Sequence, residues 1–181
     1  SSPVAWLALD EYDNDPVRFL TYVIAAIRTL YPEACPETSA ILHGNALPET
    51  PVLATLLINE IDDLPARFTL VLDDYHNIRL QAVHGFLDEF LRHPPLQLHL
   101  LIASRADPPL ALARLRANGR INELRIGALR FSRGETIDFI TQATGTEPTG
   151  QVADGLMRRA EGWIAGMQLA VLSLGAAPDQ D

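Results

Sequence analysis

Lysine is absent from the 181 residues, and all fourteen basic side chains are arginine. That excludes a phosphate-binding loop of the form G-x-x-x-x-G-K-[ST], whose lysine reaches the phosphates of a nucleotide. It argues equally against a phosphoacceptor receiver, which needs a lysine beside its acidic pair. A single cysteine, Cys35, excludes an intramolecular disulfide and any multi-cysteine zinc site, and reads as a small buried filler. No apolar run approaches the roughly 18 residues that span a bilayer, and the start Ser1-Ser2-Pro3-Val4 lacks a basic signal-peptide region. The expectation is a cytoplasmic protein without membrane contact. His43, His84, His93 and His99 show no metal spacing, and no G-x-S-x-G nucleophile turn, repeat or low-complexity stretch occurs.

Acid is in excess. Twenty-three carboxylates give a net charge of -9, which removes any general attraction to nucleic acid or an anionic membrane. The charge is uneven, because residues 105–133 hold Arg105, Arg114, Arg116, Arg120, Arg125, Arg130 and Arg133 against only Asp107 and Glu123. Such a stretch meets phosphates, forms a solvated face, or pairs with the acidic first third of the chain.

Three apolar runs, Val4–Leu9, Phe68–Leu72 and Leu98–Ala103, lack polar alternation and read as parallel strands buried on both faces. Helical patterns separate them. Asp15-Pro16 starts one that carries Phe19, Leu20, Val23, Ile24, Ile27 and Leu30, and Thr50-Pro51 starts another through Leu64. A third spans about 79–92, while residues 33–48 read as a long connection. A short helix near Leu110–Ala117 and a fourth strand near Asn122–Ile126 complete an α/β pattern. Right-handed crossovers then predict a three-layer sandwich with its site at the C-terminal strand tips. From Ser132 the pattern is helical, beginning with the capping-box spacing Ser132-x-x-Glu135 and continuing near 149–160 and 164–176, with Trp163 as a core anchor. The predicted division is an α/β core over 1–130 and a small helical lid over 131–181.

The second strand ends in Asp73-Asp74. A rigid apolar strand that delivers acids at its tip holds a Mg²⁺ water with the first carboxylate and polarises an attacking water with the second, the arrangement called Walker B. The bland alternative is an ordinary strand exit, with Asp74 or Asn77 capping the next helix. The third strand ends in Ser104-Arg105, which a parallel sheet sets beside Asp73; an arginine there senses a γ-phosphate or rests on Asp73, Asp74 or Asp107. His76 reads as a loop anchor rather than a base.

The segments Trp6-Leu7-Ala8-Leu9-Asp10, Asp13-Asn14-Asp15-Pro16, LVLDDYH at 70–76, IASRADPPLALARLRANG at 102–119 and Glu161-Gly162-Trp163-Ile164-Ala165-Gly166 occur together and in order. In these the chain resembles the nucleotidase module of the large ATP-dependent LuxR-type transcriptional activators, within the STAND class of signalling ATPases. The resemblance implies a P-loop NTPase core lacking its first strand, and a fragment carrying Walker B and a sensor arginine but not Walker A. It implies Asp73 as the metal acid, Asp74 and Arg105 as catalytic, and Asp73, Asp74, Ser104 and Arg105 around the nucleotide. ATP or ADP with Mg²⁺, an inducer, self-association and a DNA-binding domain belong to the whole protein, and the fragment by itself is expected to bind no nucleotide tightly and to be inactive. The chain is then a piece of a longer protein, with a strand missing beside Leu98–Ala103. The competing reading is a non-catalytic interaction or regulatory domain of degenerate P-loop fold. DNA binding through the helices at 149–160 and 164–176 is disfavoured, because the second carries no arginine and is largely apolar.

Overall fold

All three apolar runs form strands: β1 (Val4–Ala8), β2 (Phe68–Asp73) and β3 (Leu98–Ile102). In this computed structural model they make one parallel sheet in the order β1-β2-β3. The structure describes residues 2–44 and 46–175, which divide into two units, Ser1–Asn118 and Gly119–Asp181.

In the first unit, helices α1 (Pro16–Arg28), α2 (Pro36–Leu42) and α3 (Thr50–Asp62) connect β1 to β2. Helix α4 (Gln81–Phe90) connects β2 to β3, and α5 (Leu112–Ala117) follows. Local chemistry accounts for α1: the Asp15 carboxylate accepts the Arg18 N–H at 2.8 Å, Pro16 supplies a helical φ, and Phe19, Leu20, Val23, Ile24 and Ile27 line one buried face. Helix α2 corrects the reading of 33–48 as a connection. Its first amides, Glu37 and Thr38, donate to the carboxylate of Glu60 on α3 at 2.7 and 3.0 Å, and the Thr38 hydroxyl donates to the same group. A cap supplied from another helix leaves no local signature.

The sheet is covered on one face. Ala5, Phe68, Leu70 and Leu72 join a core built from α1, α3 and α4, with Leu98, Leu100 and Ile102 packed against it. On the other face Val4 is 51% exposed, Trp6 60% and Leu101 48%. The expectation of strands buried on both sides therefore fails here. The strand order runs in one direction, and right-handed crossovers taken successively in one direction leave all their helices on one side.

The second unit contains α6 (Ile126–Leu129), α7 (Arg133–Thr144), α8 (Gly150–Ala160) and α9 (Ile164–Gly175). No strand forms at 122–126; residues 121–125 have no regular structure and Ile126 opens α6. The Ser132–Glu135 capping box forms as its spacing predicts. Ser132 holds the exposed Glu135 carboxyl below its ordinary range, through its backbone N–H first and its hydroxyl second. Buried Thr136, Ile140, Ala153, Leu156, Ala160 and Met167 form the inside of this unit. Trp163 is not the core anchor expected: it is 38% exposed, with Arg130 over its ring at 5.9 Å. Among the described residues of α9, Met167 is buried while Leu169 and Leu172 are largely exposed, so its apolar composition does not place it in a core. The end of the predicted lid, 176–181, lies outside the described residues. No helix among the described residues is long and apolar enough to cross a membrane.

Candidate functional site

The acidic tip is held by the ladder on both sides. Leu9 N–H donates to the Asp73 carbonyl at 3.0 Å, Ala103 N–H to the Leu72 carbonyl at 2.9 Å, and Tyr75 N–H to the Ala103 carbonyl at 3.0 Å. Since Leu72 lies opposite Ile102, the register carries Asp73 and Asp74 to the level of Ala103 and Ser104. Three of the four predicted site residues thus stand at adjacent C-terminal strand tips, and Arg105 follows Ser104 in the chain.

Asp73 and Asp74 are half-buried. The Asp73 carboxylate accepts the Asp74 N–H at 2.9 Å, and Asp74 adopts a left-handed conformation, φ 54°. That turn leaves Asp74 without a helix-capping hydrogen bond, while Asn77 donates to the Leu9 carbonyl at 2.9 Å. Helix α4 starts after Leu80 with no side-chain cap, so neither residue plays the capping role considered above. His76 is half-buried, with its Nδ1 at 3.7 Å from the Asp74 carboxylate, beyond hydrogen-bond reach. The anchoring hydrogen bond expected of a loop anchor is not made by this nitrogen.

Ser104 donates to the Ala106 carbonyl at 2.6 Å, which folds the loop after β3 back on itself. Arg105 is exposed, and among the described residues no carboxylate comes within 4.0 Å of it. The contact with Asp73, Asp74 or Asp107 that the sequence allowed does not form; Asp107 faces Arg116 at 3.9 Å. Other arginines of 105–133 also meet nearby acids: Arg125 with Glu123 at 2.6 Å, Arg133 with Asp154 at 2.8 Å and Arg130 with Glu161 at 3.9 Å.

Several residues that organise the tips escaped sequence reasoning. Asn14 ties the loops after β1 and β2 together: it donates to the Asn77 carbonyl at 2.8 Å and accepts from Arg79 N–H at 2.6 Å and Leu80 N–H at 2.9 Å. Asp13 is buried, accepts the Asp10 N–H at 2.9 Å, and has Arg18 at 3.4 Å. Only the local run Asp13-Asn14-Asp15 hinted at a specialised turn. A cleft of about 450 Å³ lined by Glu11, Asn14, Asn77, Arg79 and Leu80 opens here. None of Asp73, Asp74, Ser104 or Arg105 lines it, and Asn14 already spends its amide on the two loops.

Below the tip, the Tyr75 hydroxyl and His84 Nδ1 form a buried hydrogen bond of 2.8 Å. Burial pushes the His84 imidazole below its ordinary value, against the attraction of Asp88. Burial, then Asp88, pushes the Tyr75 phenol up. As for metals, no cluster of three or more His, Cys, Asp or Glu side chains exists among the described residues. Two half-buried carboxylates suit a Mg²⁺ ion that takes its remaining oxygens from water and phosphate, rather than one enclosed by protein.

No protein-family model matches the chain. It is 34% identical over 172 residues to the HTH-type transcriptional regulator MalT of Yersinia enterocolitica, covering 95% of this chain and 19% of that protein. The same regulator of Vibrio cholerae is 32% identical over 169 residues, 93% of this chain and 19% of the relative. That of Serratia proteamaculans is 33% identical over 172 residues, with 95% and 19% covered. The chain thus spans about a fifth of the length of the curated relatives it matches, and is homologous to one segment of them over nearly its whole length. The resemblance drawn from the sequence is borne out at that level.

Proposed function

We propose, on the premise that this chain is the counterpart of one segment of the HTH-type transcriptional regulators MalT, that it is part of the nucleotide switch of such a regulator. The observation that carries the reading is the strand register, which sets the acidic tip Asp73-Asp74 level with Ala103-Ser104, in a chain homologous to a transcriptional regulator. Asp73 holds Mg²⁺, Asp74 orients the attacking water, and Ser104 and Arg105 stand on the side of the terminal phosphate. Bound Mg²⁺ supplies charge neutralisation at the phosphates. Exposed Arg105, which rests on no nearby carboxylate, is available to a phosphate and gains charge-assisted hydrogen bonds there.

The finer fold follows the same reading: a P-loop NTPase core in which a further strand pairs beside β3 and a further layer covers Trp6 and Leu101, with the second unit as lid. A parallel sheet open on one face supports it, since such sheets are ordinarily covered on both. The phosphate loop, the inducer-binding and DNA-binding parts, the self-association and a cytoplasmic setting belong to the longer protein. The open sheet face also favours one alternative, a non-catalytic interaction domain of the same fold.

Three tests decide. The reading frame around this segment is expected to encode G-x-x-x-x-G-K-[ST] upstream; its absence selects the interaction domain. In the longer protein, Asp73→Asn is expected to weaken Mg²⁺-dependent ATP binding at least about tenfold, and Arg105→Ala to abolish the difference between ATP and ADP. The 181-residue chain by itself is expected to show no ATP binding or hydrolysis by calorimetry. Micromolar, Mg²⁺-dependent binding by it would overturn the assignment of the phosphate loop to another segment.

A further inference from the structure

Arg105 makes no ion pair with the acids across from it, so at the strand tips the two halves of the candidate site are joined by the backbone ladder. A second tie runs through a helix. Helix α4 touches both loops through two residues four apart, hence neighbours on one helix face. His84 holds the loop after β2 through the hydrogen bond of 2.8 Å to Tyr75, the residue that follows Asp74. Both partners are almost wholly buried, at 1% and 0% exposure, where a polar group is costly unless paired. Asp88 holds the loop after β3 at its far end. Its carboxylate accepts the Ala111 N–H at 2.7 Å and its carbonyl accepts from Arg114 at 3.2 Å.

We infer that α4 is a spacer between the two loops of the site, with His84 and Asp88, one helical turn apart, as positioning residues that anchor the loop of the acidic tip at Tyr75 and the loop after β3 at its far end, Ala111. The charge of Asp88 is felt by both Tyr75 and His84, so the two anchors form one electrostatic unit. The ladder bond from Tyr75 N–H to the Ala103 carbonyl closes the circuit, joining the two loops directly at 3.0 Å. A shift of α4 along its axis therefore moves both loops together, and a switch that repositions this helix changes the site without touching it. This rests on the nucleotide reading only for its purpose; the mechanical coupling is a property of the chain itself.

Amide hydrogen exchange resolved by NMR on the 181-residue chain tests it. Asp88→Ala is expected to accelerate exchange of the Ala111 amide by about tenfold and that of Tyr75 severalfold, while Ile24 in α1 stays unchanged as the reference for the fold. Tyr75→Phe should do the converse, and the double variant should fall short of the product of the two single effects, as coupled residues do. Asp88→Asn keeps an acceptor for Ala111 and should restore its protection. Should Tyr75→Phe loosen the whole fold, His84→Gln serves as the second variant. Changes confined to each residue's own loop, multiplying in the double variant, would overturn the spacer. No nucleotide enters the readout. Lost coupling beside intact Mg²⁺-ATP binding in the longer protein refutes the spacer alone, and the reverse result refutes the switch reading alone.

Discussion

Asp74 shows how much one backbone angle decides. At φ 54° it sits where a side chain ordinarily meets the following carbonyl, a conformation that Asp tolerates better than most residues and Gly best of all. Asp74→Gly is therefore expected to change the stability of the chain by less than about 1 kcal/mol in urea unfolding, whereas Asp74→Val costs about 1–2 kcal/mol through strain. The Gly variant removes the carboxylate while keeping the turn, which separates chemistry from fold. His84 carries a pH dependence whose sign follows from its lowered pKa. The unfolded chain takes up a proton that the buried imidazole refuses, so stability rises with pH. The contribution is complete above the ordinary value of 6.5 and is lost as pH falls below it through the lowered folded value. His84→Gln should flatten that part of the urea-midpoint profile; an unchanged profile would assign the dependence to other groups. Cys35 is buried, and burial is the main cause of a thiol pKa pushed up to about 12. Thiolate is then scarce, and iodoacetamide at pH 8 is expected to leave Cys35 unmodified until denaturant is added.

At the scale of elements, the clearest signals in the sequence were those whose cause is local. Asp15-Pro16 and Ser132-x-x-Glu135 start α1 and α7, because a cap needs only residues within one turn. Helix α2 was illegible, because Glu60 reaches it from α3. The strand expected at 122–126, as the next member of the α/β order, does not form; a short segment becomes a strand only when a neighbour offers its edge. The sheet face was misread for a related reason. Periodicity says that Trp6 and Leu101 are apolar, not which element covers them. Val71, opposite both in register, is buried at 3% exposure, while its two neighbours remain open. The double variant Trp6→Gln with Leu101→Gln should lower binding of the dye ANS and leave the unfolding free energy from urea titration within about 0.5 kcal/mol of the parent chain, since neither residue belongs to the core cluster. A large loss of stability would mean that the face is covered in solution.

At the scale of the molecule, the chain holds two cores of unequal kind. The first unit unites sheet and helices in one apolar cluster; the second is a small helical set around Met167, Ile140 and Leu156. A chain ending at Asn118 is expected to unfold cooperatively in urea by itself, because its core draws on no residue beyond that point. Loss of cooperativity would show that the second unit is needed to complete the first. By itself, the sequence determined the three strands, the three longest helices of the first unit, cap chemistry at α1 and α7, and the acidic tip, because hydrophobic period and capping act over a few residues. It also determined the homology to a regulator segment, through motifs that keep their order. The tertiary structure alone decided which strand lies beside which, which face of the sheet stays open, how Asn14 and the Tyr75–His84 pair tie distant loops, and that Arg105 stands clear of the acids. Those facts depend on contacts between residues far apart in the chain, where packing and hydrogen-bond geometry leave no periodic trace in the order of residues.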